Sequence, residues 1–196
     1  SLNSKRQAVD DTFIAKYDSN SKLIWMSNFS CSANDQVKQI KATDDGGIAV
    51  LIETNSNDGD MENQNRGLYD LVIVKYDAHG KKVWQLVLGV KNIETSSSGL
   101  DILSDGSFIV AGSLSSKSGD FADVDWYGDI FDCFAAKISA TGELLWTKAY
   151  GGDRNDYCNS VLATSDGGFI LMGNTKSTTD TFAPIGTGYD NAYVLK

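Results

Sequence analysis

The sequence contains one proline, Pro184, one histidine, His79, and three cysteines among its 196 residues. A single histidine excludes most histidine-based catalysis. An odd number of cysteines implies no disulfide framework. Cys133 begins an apolar run and is expected to be buried, whereas Cys31 and Cys158 would meet only if distant parts of the chain were brought together. Serine-nucleophile motifs and phosphate-binding glycine loops are also absent, so the sequence assigns no catalytic residue.

Basic residues are scarce as well. Seventeen lysines and arginines against 26 aspartates and glutamates give a net charge of -9, which opposes binding to phosphates or anionic lipid and excludes a nucleic-acid binder. No apolar run approaches the roughly 20 residues of a membrane span, and residues 1–10 lack the apolar stretch of a secretion signal. With 41% hydrophobic and 10% aromatic residues, the chain can bury a substantial core. We therefore expect a soluble, folded domain.

The chain repeats itself at a period of about 60 residues, as repeat architectures do. Four lysines in similar apolar segments are spaced 59, 62 and 59 residues apart: Lys16, Lys75, Lys137 and Lys196. Nine residues after each of the first three lysines stands a tryptophan: Trp25, Trp84 and Trp146. An Asp-Gly pair follows each tryptophan at a distance of 20 or 21 residues and begins at Asp45, Asp105 or Asp166. Three anchors that agree on one period establish the repeat.

Each repeat predicts four short strands. In the third repeat, runs of five or six residues rich in β-branched and aromatic types lie at 134–138, 144–149, 160–164 and 168–173, bounded by Gly, Asp, Asn or Ser. Asp-Gly turns supply the positive φ that tight hairpins need. Apolar residues at helical spacing are absent. The pattern predicts an all-β fold of four-stranded antiparallel units, the blade of a β-propeller, lengthened by polar loops at 55–69, 114–131 and 175–189.

We place the start of a blade at the strand before the Asp-Gly turn, which makes 36–43, 48–54, 71–76 and 81–88 the first complete blade. A phase that begins at Phe13 is the alternative and is compatible with the spacing. In the first phase the chain holds two strands of one blade, two whole blades and three strands of another. A closed ring usually needs at least four blades. We expect a segment of a longer propeller; a half-ring homodimer and a compact three-unit fold are the alternatives.

The repeats resemble those of secreted bacterial β-propeller proteins, whose blades carry the pattern DaFvvKyD, nG, W, yGG, D, DGGyivvG. The third unit is closest, with Lys137, Gly142, Trp146 and the segments 150–153 and 166–168. The first unit departs from the pattern, because Phe-Ser-Cys at 29–31 replaces Tyr-Gly-Gly and Ser21 replaces the turn glycine. The resemblance implies a bacterial protein that is secreted or lies on the cell surface, but no single activity.

The resemblance covers the chain from Asp11 onward. It implies an N-terminal extension over residues 1–10 and one β-propeller repeat domain over residues 11–196. The units within that domain span approximately 11–69, 70–131 and 132–190, and a final strand spans 191–196.

One end of the predicted sheets is acidic. Asp-Gly turns such as that at Asp166, and the turn that holds His79, lie at one end, and the long loops lie at the other. The long-loop end receives Asp58, Asp60, Glu62, Asp120, Asp123, Asp125, Asp129, Asp153, Asp156 and Asp180. Ca²⁺ takes six to eight oxygen ligands in flexible geometry, so Asp58, Asp60 and Asp120 are candidate metal ligands. The loop at 55–60 lacks the full calcium-loop spacing and its terminal glutamate, which makes solvated surface loops the alternative.

An aromatic pair interrupts the repeat in the second long loop. Trp126 and Tyr127 stand beside Asp123 and Asp125. Such aromatics can stack on a sugar ring while the carboxylates bind its hydroxyls, so these four residues form the candidate ligand site. A loop that packs its own apolar plug is the alternative. The recurring tryptophans are instead expected in the core between blades, and the recurring lysines in ion pairs with nearby carboxylates.

These features predict a binding or scaffold module of a bacterial secreted or cell-surface protein. Its ligand would be a polysaccharide or a protein, held on the acidic loop face, with calcium as a candidate stabilising ion. Further partners would be a second copy of the chain or the remainder of a longer propeller. The alternative function is a carbohydrate-active enzyme, a glycoside hydrolase or lyase, that uses a carboxylate pair such as Asp58 and Asp60 or Asp123 and Asp125.

Overall fold

The computed structural model describes residues 12–89, 99–127, 131–185 and 187–196, and the predicted extension over residues 1–10 lies outside this part. Thirteen strands and three single-turn 3₁₀ helices make up the regular structure there, which confirms the all-β prediction. None of the described helices is long and apolar enough to cross a membrane. The strands are β1 (Thr12–Tyr17), β2 (Leu23–Phe29), β3 (Asp35–Ala42), β4 (Ile48–Thr54), β5 (Asp70–Tyr76), β6 (Lys82–Leu88), β7 (Gly99–Ile102), β8 (Phe108–Leu114), β9 (Asp132–Ile138), β10 (Leu144–Tyr150), β11 (Asp156–Ala163), β12 (Phe169–Thr175) and β13 (Asn191–Leu195).

The strands form four antiparallel sheets in chain order. The first sheet pairs β1 with β2, the second runs β3-β4-β5-β6, the third runs β7-β8-β9-β10 and the fourth runs β11-β12-β13. Each sheet after the first begins at the strand before an Asp-Gly turn, as we predicted. The phase that begins at Phe13 is wrong, because β2 and β3 belong to different sheets.

Three apolar cores fill the spaces between successive sheets. Side chains alternate between the two faces of a strand, so a strand in the middle of the stack must be apolar at every position. In β4, Val50 and Ile52 pack toward the first sheet, whereas Ala49 and Leu51 pack toward the third. In β9, Phe134 and Ala136 likewise face the second sheet and their neighbours face the fourth. This two-sided burial fixes the sheets in one stack.

The first strands of the second, third and fourth sheets lie side by side. The Gln39 side chain of β3 accepts a hydrogen bond from the Leu100 amide of β7 at 2.9 Å. Asp101 of β7 forms an ion pair with Lys41 of β3 at 3.0 Å. The same carboxylate accepts a hydrogen bond from the Ala163 amide of β11 at 2.8 Å. Polar contacts therefore join the three sheets along one edge of the stack.

Three of the four recurring lysines pair with the Asp-Gly turns of their own sheets, which confirms the predicted ion pairs for these three. Lys16 instead donates to the Gly46 carbonyl of the second sheet at 3.2 Å. The distances between Lys Nζ and the carboxylate are 2.8 Å for Lys75 and Asp45, 2.8 Å for Lys137 and Asp105, and 2.7 Å for Lys196 and Asp166. Each carboxylate also accepts the amide N–H of the residue two positions later, so the lysine and these hydrogen bonds hold its pKa well below the usual range. The lysines therefore fix the hairpin turns.

The recurring tryptophans join neighbouring sheets. Trp25 donates its indole N–H to the Ala78 carbonyl in the β5–β6 turn at 3.0 Å. Trp84 donates to the Ala140 carbonyl in the β9–β10 turn at 3.1 Å. A glycine in each turn lies under the indole ring, since a Cβ there would stand 2.5 Å from Trp25 and 2.7 Å from Trp84. Trp146 packs in turn against the core between the third and fourth sheets, so the prediction of tryptophans packed between sheets is confirmed for all three.

Two glycine substitutions separate the contact under the indole from the cost of the turn. Gly142 and Gly106 have similar φ values of 89° and 78°, but a Cβ at Gly106 has no neighbour within 4 Å. Gly106→Ala is expected to lower the free energy of unfolding by roughly 1–2 kcal/mol, the cost of a left-handed conformation. Gly142→Ala should cost a further 1–3 kcal/mol, roughly, because Trp84 must move. Urea unfolding measures both, and equal losses would contradict this role of the tryptophan.

Candidate functional site

The long loops lie at the end of the sheets opposite the Asp-Gly turns, and the single-turn helix of each carries a buried apolar side chain. The 3₁₀ turns Gly59–Met61, Gly119–Phe121 and Asp180–Phe182 carry Met61, Phe121 and Phe182, which are fully buried. The ring of Phe121 lies 4.7 Å from that of Phe134, and the ring of Phe182 lies 4.6 Å from that of Tyr193. The loops are therefore docked on the cores by their own apolar plugs.

Paired hydrogen bonds join each loop to the sheet before it. The Asp60 amide donates to the Ser30 carbonyl at 3.1 Å, and the Ser30 amide donates to the Asp60 carboxylate at 2.9 Å. Asp120 makes the same pair of bonds with Gly89, at 3.3 and 3.1 Å. In the third loop Thr181 bonds to the carbonyl and amide of Gly151, at 3.1 and 3.3 Å. One docking arrangement thus recurs at all three seams between sheets.

The candidate metal ligands take part in this docking. Asp58 accepts the Ser32 amide at 2.8 Å, and Asp60 also accepts Lys82 Nζ at 2.7 Å. Asp120 forms a further ion pair with Arg66. Asp60 and Asp120 belong to different loops, and the described residues include no group of three His, Cys, Asp or Glu side chains placed to hold a metal ion. Protein donors already bind these carboxylates, which argues against calcium at these three residues.

A cleft of about 370 Å³ lies at the seam between the third and fourth sheets. Three of the four candidate ligand residues line it: Asp123 and Asp125, which are exposed, and Tyr127, which is half-buried. Lys148, Tyr150 and Thr181 join them in the lining. Trp126 does not line the cleft; it is half-buried and packs against the core between the second and third sheets.

The sequence did not single out Lys148, Tyr150 or Thr181. Lys148 and Tyr150 occupy alternate positions of β10 and therefore point to the same face of the strand. That rule, applied to the predicted strand, would have placed the two together. Thr181 stands 61 residues after Asp120, which itself stands 60 residues after Asp60. The third loop thus carries a neutral side chain where the other two carry a carboxylate, and this departure from the repeat was a readable signal.

Both tyrosines of the cleft stay protonated at neutral pH. Burial, helped by the carboxylates of Asp125, Asp180 and Asp132, raises the pKa of Tyr127. Burial beside two cysteine thiols raises the pKa of Tyr150 to about 12. Neutral phenols can donate as well as accept hydrogen bonds. The cleft therefore combines two aromatic faces, two carboxylates, a lysine and a hydroxyl.

Asp132 lies beneath the cleft and supports it. Its side chain is fully buried, and one carboxylate oxygen accepts the Tyr127 amide at 3.0 Å. The other oxygen faces Gly151, where a Cβ would overlap it, and has no hydrogen-bond partner within the described part of the chain. Burial, with a smaller contribution from the Asp156 carboxylate, raises the pKa of Asp132 to about 6. Asp70 is held in the same way, by the Arg66 amide at 2.8 Å and beside Gly89.

Several other acidic residues of this end are structural. Asp156 is fully buried and bonds to Thr175 and Ser177, so its expected place on the acidic surface is wrong. Asp153 accepts the Thr178 amide at 2.6 Å. Asp129 lies outside the described residues.

The cysteines are buried in two different cores. Cys31 packs between the first and second sheets, whereas Cys133 and Cys158 lie between the third and fourth. The structure therefore does not bring Cys31 and Cys158 together. His79, exposed in the β5–β6 turn, lies at the opposite end from the cleft, as expected.

Comparison with known proteins adds no relative. No family model matches the chain, and no curated protein matches it. The resemblance to secreted bacterial propellers thus stays a prediction from the repeat motif, and the site must be interpreted from its own chemistry.

The raised pKa of Asp132 predicts a pH-dependent effect of Asp132→Asn. Because the folded-state pKa exceeds the ordinary value of 3.8, the fold favours the protonated carboxyl, and its contribution to stability is lost as pH rises from about 4 to about 6. The neutral amide, which the repeat carries at Asn191, avoids this loss. Asp132→Asn should raise the free energy of unfolding by roughly 1–3 kcal/mol at pH 7.5 and by much less at pH 4.5.

Chemical unfolding at the two pH values measures the effect. Asp105→Asn is the matched control of opposite sign, since Lys137 and the hydrogen bonds of its turn hold the pKa of Asp105 below the usual range. Asp105→Asn should lower the free energy of unfolding at pH 7.5, and the loss should become smaller as the pH falls. If the effect of Asp132→Asn did not depend on pH, the raised pKa of the buried Asp132 carboxyl would be contradicted.

The engaged carboxylates also predict the response to a chelator. Removal of divalent ions with EDTA should leave the melting temperature unchanged, because Asp58, Asp60 and Asp120 bind protein donors. A calcium site that contributed 1 kcal/mol would move the melting temperature of a chain of this size by about 2–4 °C. A fall of that size, reversed by added Ca²⁺, would restore the calcium hypothesis.

Proposed function

We propose that the chain is a ligand-binding module of β-propeller type, and that the cleft between its third and fourth sheets binds a hydroxyl-rich ligand of the oligosaccharide class. One observation carries the ligand assignment: residues from the second long loop, from β10 and from the third long loop converge on one cleft of about 370 Å³. Binding sites are concave, and combine apolar or aromatic surface with a few convergent polar groups.

The propeller assignment is supported by the way the sheets stack. Successive sheets pack face to face, and the first strand of one sheet contacts the first strand of the next, β3 with β7 and β7 with β11, as the inner strands of blades do around an axis. The outer strands are held farther apart by bulky side chains such as Trp84, which bridges to the next turn. Long loops at one end and short turns at the other complete the likeness to a propeller.

The chemistry of the cleft favours a polar, hydroxyl-rich ligand. Tyr127 and Tyr150 offer aromatic faces that can stack on a sugar ring, together with neutral phenol groups. Asp123 and Asp125 can accept hydrogen bonds from ligand hydroxyls, while Lys148 and Thr181 can donate them. Opposite charges side by side would disfavour a strongly anionic ligand. A secreted or cell-surface bacterial protein, the setting implied by the repeat motif, meets such ligands in cell walls and capsules.

Binding explains the site better than hydrolysis does. A glycosidase needs a carboxylic acid of raised pKa that reaches the glycosidic oxygen. Asp132 has a raised pKa, but it is fully buried beneath the Tyr127 amide and cannot touch a ligand in the cleft. Asp123 and Asp125 reach the cleft but are exposed to solvent. The carbohydrate-active enzyme is therefore the second choice.

Calorimetric titration with neutral hexasaccharides of glucose, mannose and N-acetylglucosamine tests the proposal. Tyr127→Ala should weaken binding about tenfold, because a lost aromatic contact is worth about 1.5 kcal/mol. Asp125→Asn should weaken it less, because the amide still accepts a hydrogen bond. Asp44→Asn, which makes the same charge change on an exposed turn at the opposite end, is the control and should bind normally.

Two further results test the role of Trp126 and distinguish a binding module from a carbohydrate-active enzyme. Trp126→Ala should lower the melting temperature more than the affinity, because the indole packs on the core and not in the cleft. Release of shorter saccharides during the titration would favour the enzyme instead. Absence of binding to every saccharide, or equal binding by all variants, would reject the cleft as an oligosaccharide site.

A further inference from the structure

Two cysteines meet at the seam between the third and fourth sheets. Cys133 of β9 and Cys158 of β11 are fully buried in the same apolar core. Ser113 of β8 connects them, because it is the cross-strand partner of Cys133 and its hydroxyl accepts the Cys158 amide at 3.0 Å. The two thiols lie within hydrogen-bonding distance of each other. The fold thus brings together two cysteines that stand 25 residues apart in the sequence.

Tyr193 of β13 covers this pair of cysteines. Gly173 of β12 is the cross-strand partner of both Cys158 and Tyr193, and a Cβ at Gly173 would stand 2.6 Å from the Tyr193 hydroxyl oxygen. That hydroxyl donates to the Tyr157 carbonyl at 2.9 Å and lies beside both thiols. The missing side chain of Gly173 therefore lets the tyrosine reach the thiols, and the pair is enclosed by protein groups.

The repeat does not require cysteine at either of these positions. In the second sheet the equivalent residues are Leu71 of β5 and Val37 of β3, which are ordinary apolar side chains. Apolar side chains would thus meet the packing needs of this seam as well. The third cysteine, Cys31, lies in another core, between the first and second sheets. Two thiols in contact at one seam are therefore a feature that the architecture of the repeat does not explain.

We propose that Cys133 and Cys158 form a disulfide bond, and that this bond fixes the third sheet to the fourth. The oxidant is a disulfide of low molecular weight. One cysteine thiolate attacks a sulfur of the oxidant and releases the first small thiolate, and the second cysteine thiolate then attacks the mixed disulfide and releases the other. The chain loses two protons and two electrons, and the oxidant is reduced to two small thiols.

This bond forms while the chain folds, before the seam between the two sheets closes. Burial and the neighbouring thiol raise the pKa of Cys133, so the folded protein holds this residue as a neutral thiol, whereas the thiolate is the nucleophile. In the unfolded chain both cysteines have ordinary pKa values and are open to the oxidant. Burial then protects the finished bond from reductants. The proposal concerns the junction of two sheets and does not depend on the ligand cleft.

Refolding in two redox buffers tests the proposal on the full chain. The reduced, denatured chain is refolded either with a mixture of reduced and oxidised glutathione or with reduced glutathione alone. Thiol titration in denaturant should find one free cysteine per chain after the mixture and all three after reduced glutathione alone. Trypsin cleaves after lysine and arginine, so mass spectrometry of the oxidised chain should find residues 118–137 linked to residues 155–176.

The disulfide should also raise the melting temperature. It closes a loop over residues 133–158 and thereby restricts the unfolded chain. The oxidised chain is expected to melt about 5–10 °C above the reduced chain. Cys158→Ala should abolish this difference between the two redox forms. Cys31→Ala, the matched control in a different buried core, should preserve both the difference and the link between the two tryptic peptides.

Three results would overturn the proposal. Three free thiols after refolding with the glutathione mixture would show that the pair does not oxidise. A bond to Cys31, a bond between two chains, or cysteines that keep a bound glutathione would show that the seam does not direct the pairing. Equal melting temperatures of the oxidised and reduced chains would show that the bond does not fix the sheets. The unsubstituted chain supplies all three results, so the test holds even if a variant fails to fold.

Discussion

Two-sided burial of the middle strands is the constraint on which the fold depends. β5 and β8 are buried at every position, so each of their sheets must be covered on both faces. A neighbouring sheet of the same kind is the cover that the repeat supplies. The fourth sheet shows the importance of this cover, because no further sheet of the described residues lies on its outer face: Met172 of β12 is 40% exposed, whereas its repeat counterpart Leu51 is fully buried. Stacking is therefore a consequence of sequence pattern and not of any single contact.

The candidate ligand cleft follows from this stacking. Once sheets lie face to face, the loop of one sheet and the outer strand of its predecessor must meet at each seam, and the docking of Asp60, Asp120 and Thr181 holds them there. At the third seam the loop residue is Thr181, and the preceding loop extends across to bring Tyr127 over the buried Asp132. The cleft thus forms where one seam departs from the shared arrangement, on a support like that of Asp70 at the second seam.

Much of the fold could be predicted from the sequence because its signals are local. The Asp-Gly turns and short apolar runs fix strands and hairpins, and the period then repeats them. The cleft could be predicted only in part, because its lining comes from segments far apart in sequence. Asp123, Asp125 and Tyr127 stand out within one loop, but Lys148 becomes relevant only when β10 is placed at the seam. The burial of Asp156 was missed because its partners, Thr175 and Ser177, lie some 20 residues away.

These contacts explain why the chain is acidic. A net charge of -9 with aspartates gathered in loops suggests a cation site, yet most of these carboxylates accept backbone amides or pair with lysine and arginine. Where a loop meets the preceding sheet, a short side chain must accept a hydrogen bond from a backbone amide. Aspartate does this, and its charge strengthens the hydrogen bond. Acidity in such a repeat protein is then largely a by-product of joining sheets. Asp123 and Asp125 differ from the carboxylates that join sheets, because both line the cleft, where a bound ligand would account for them.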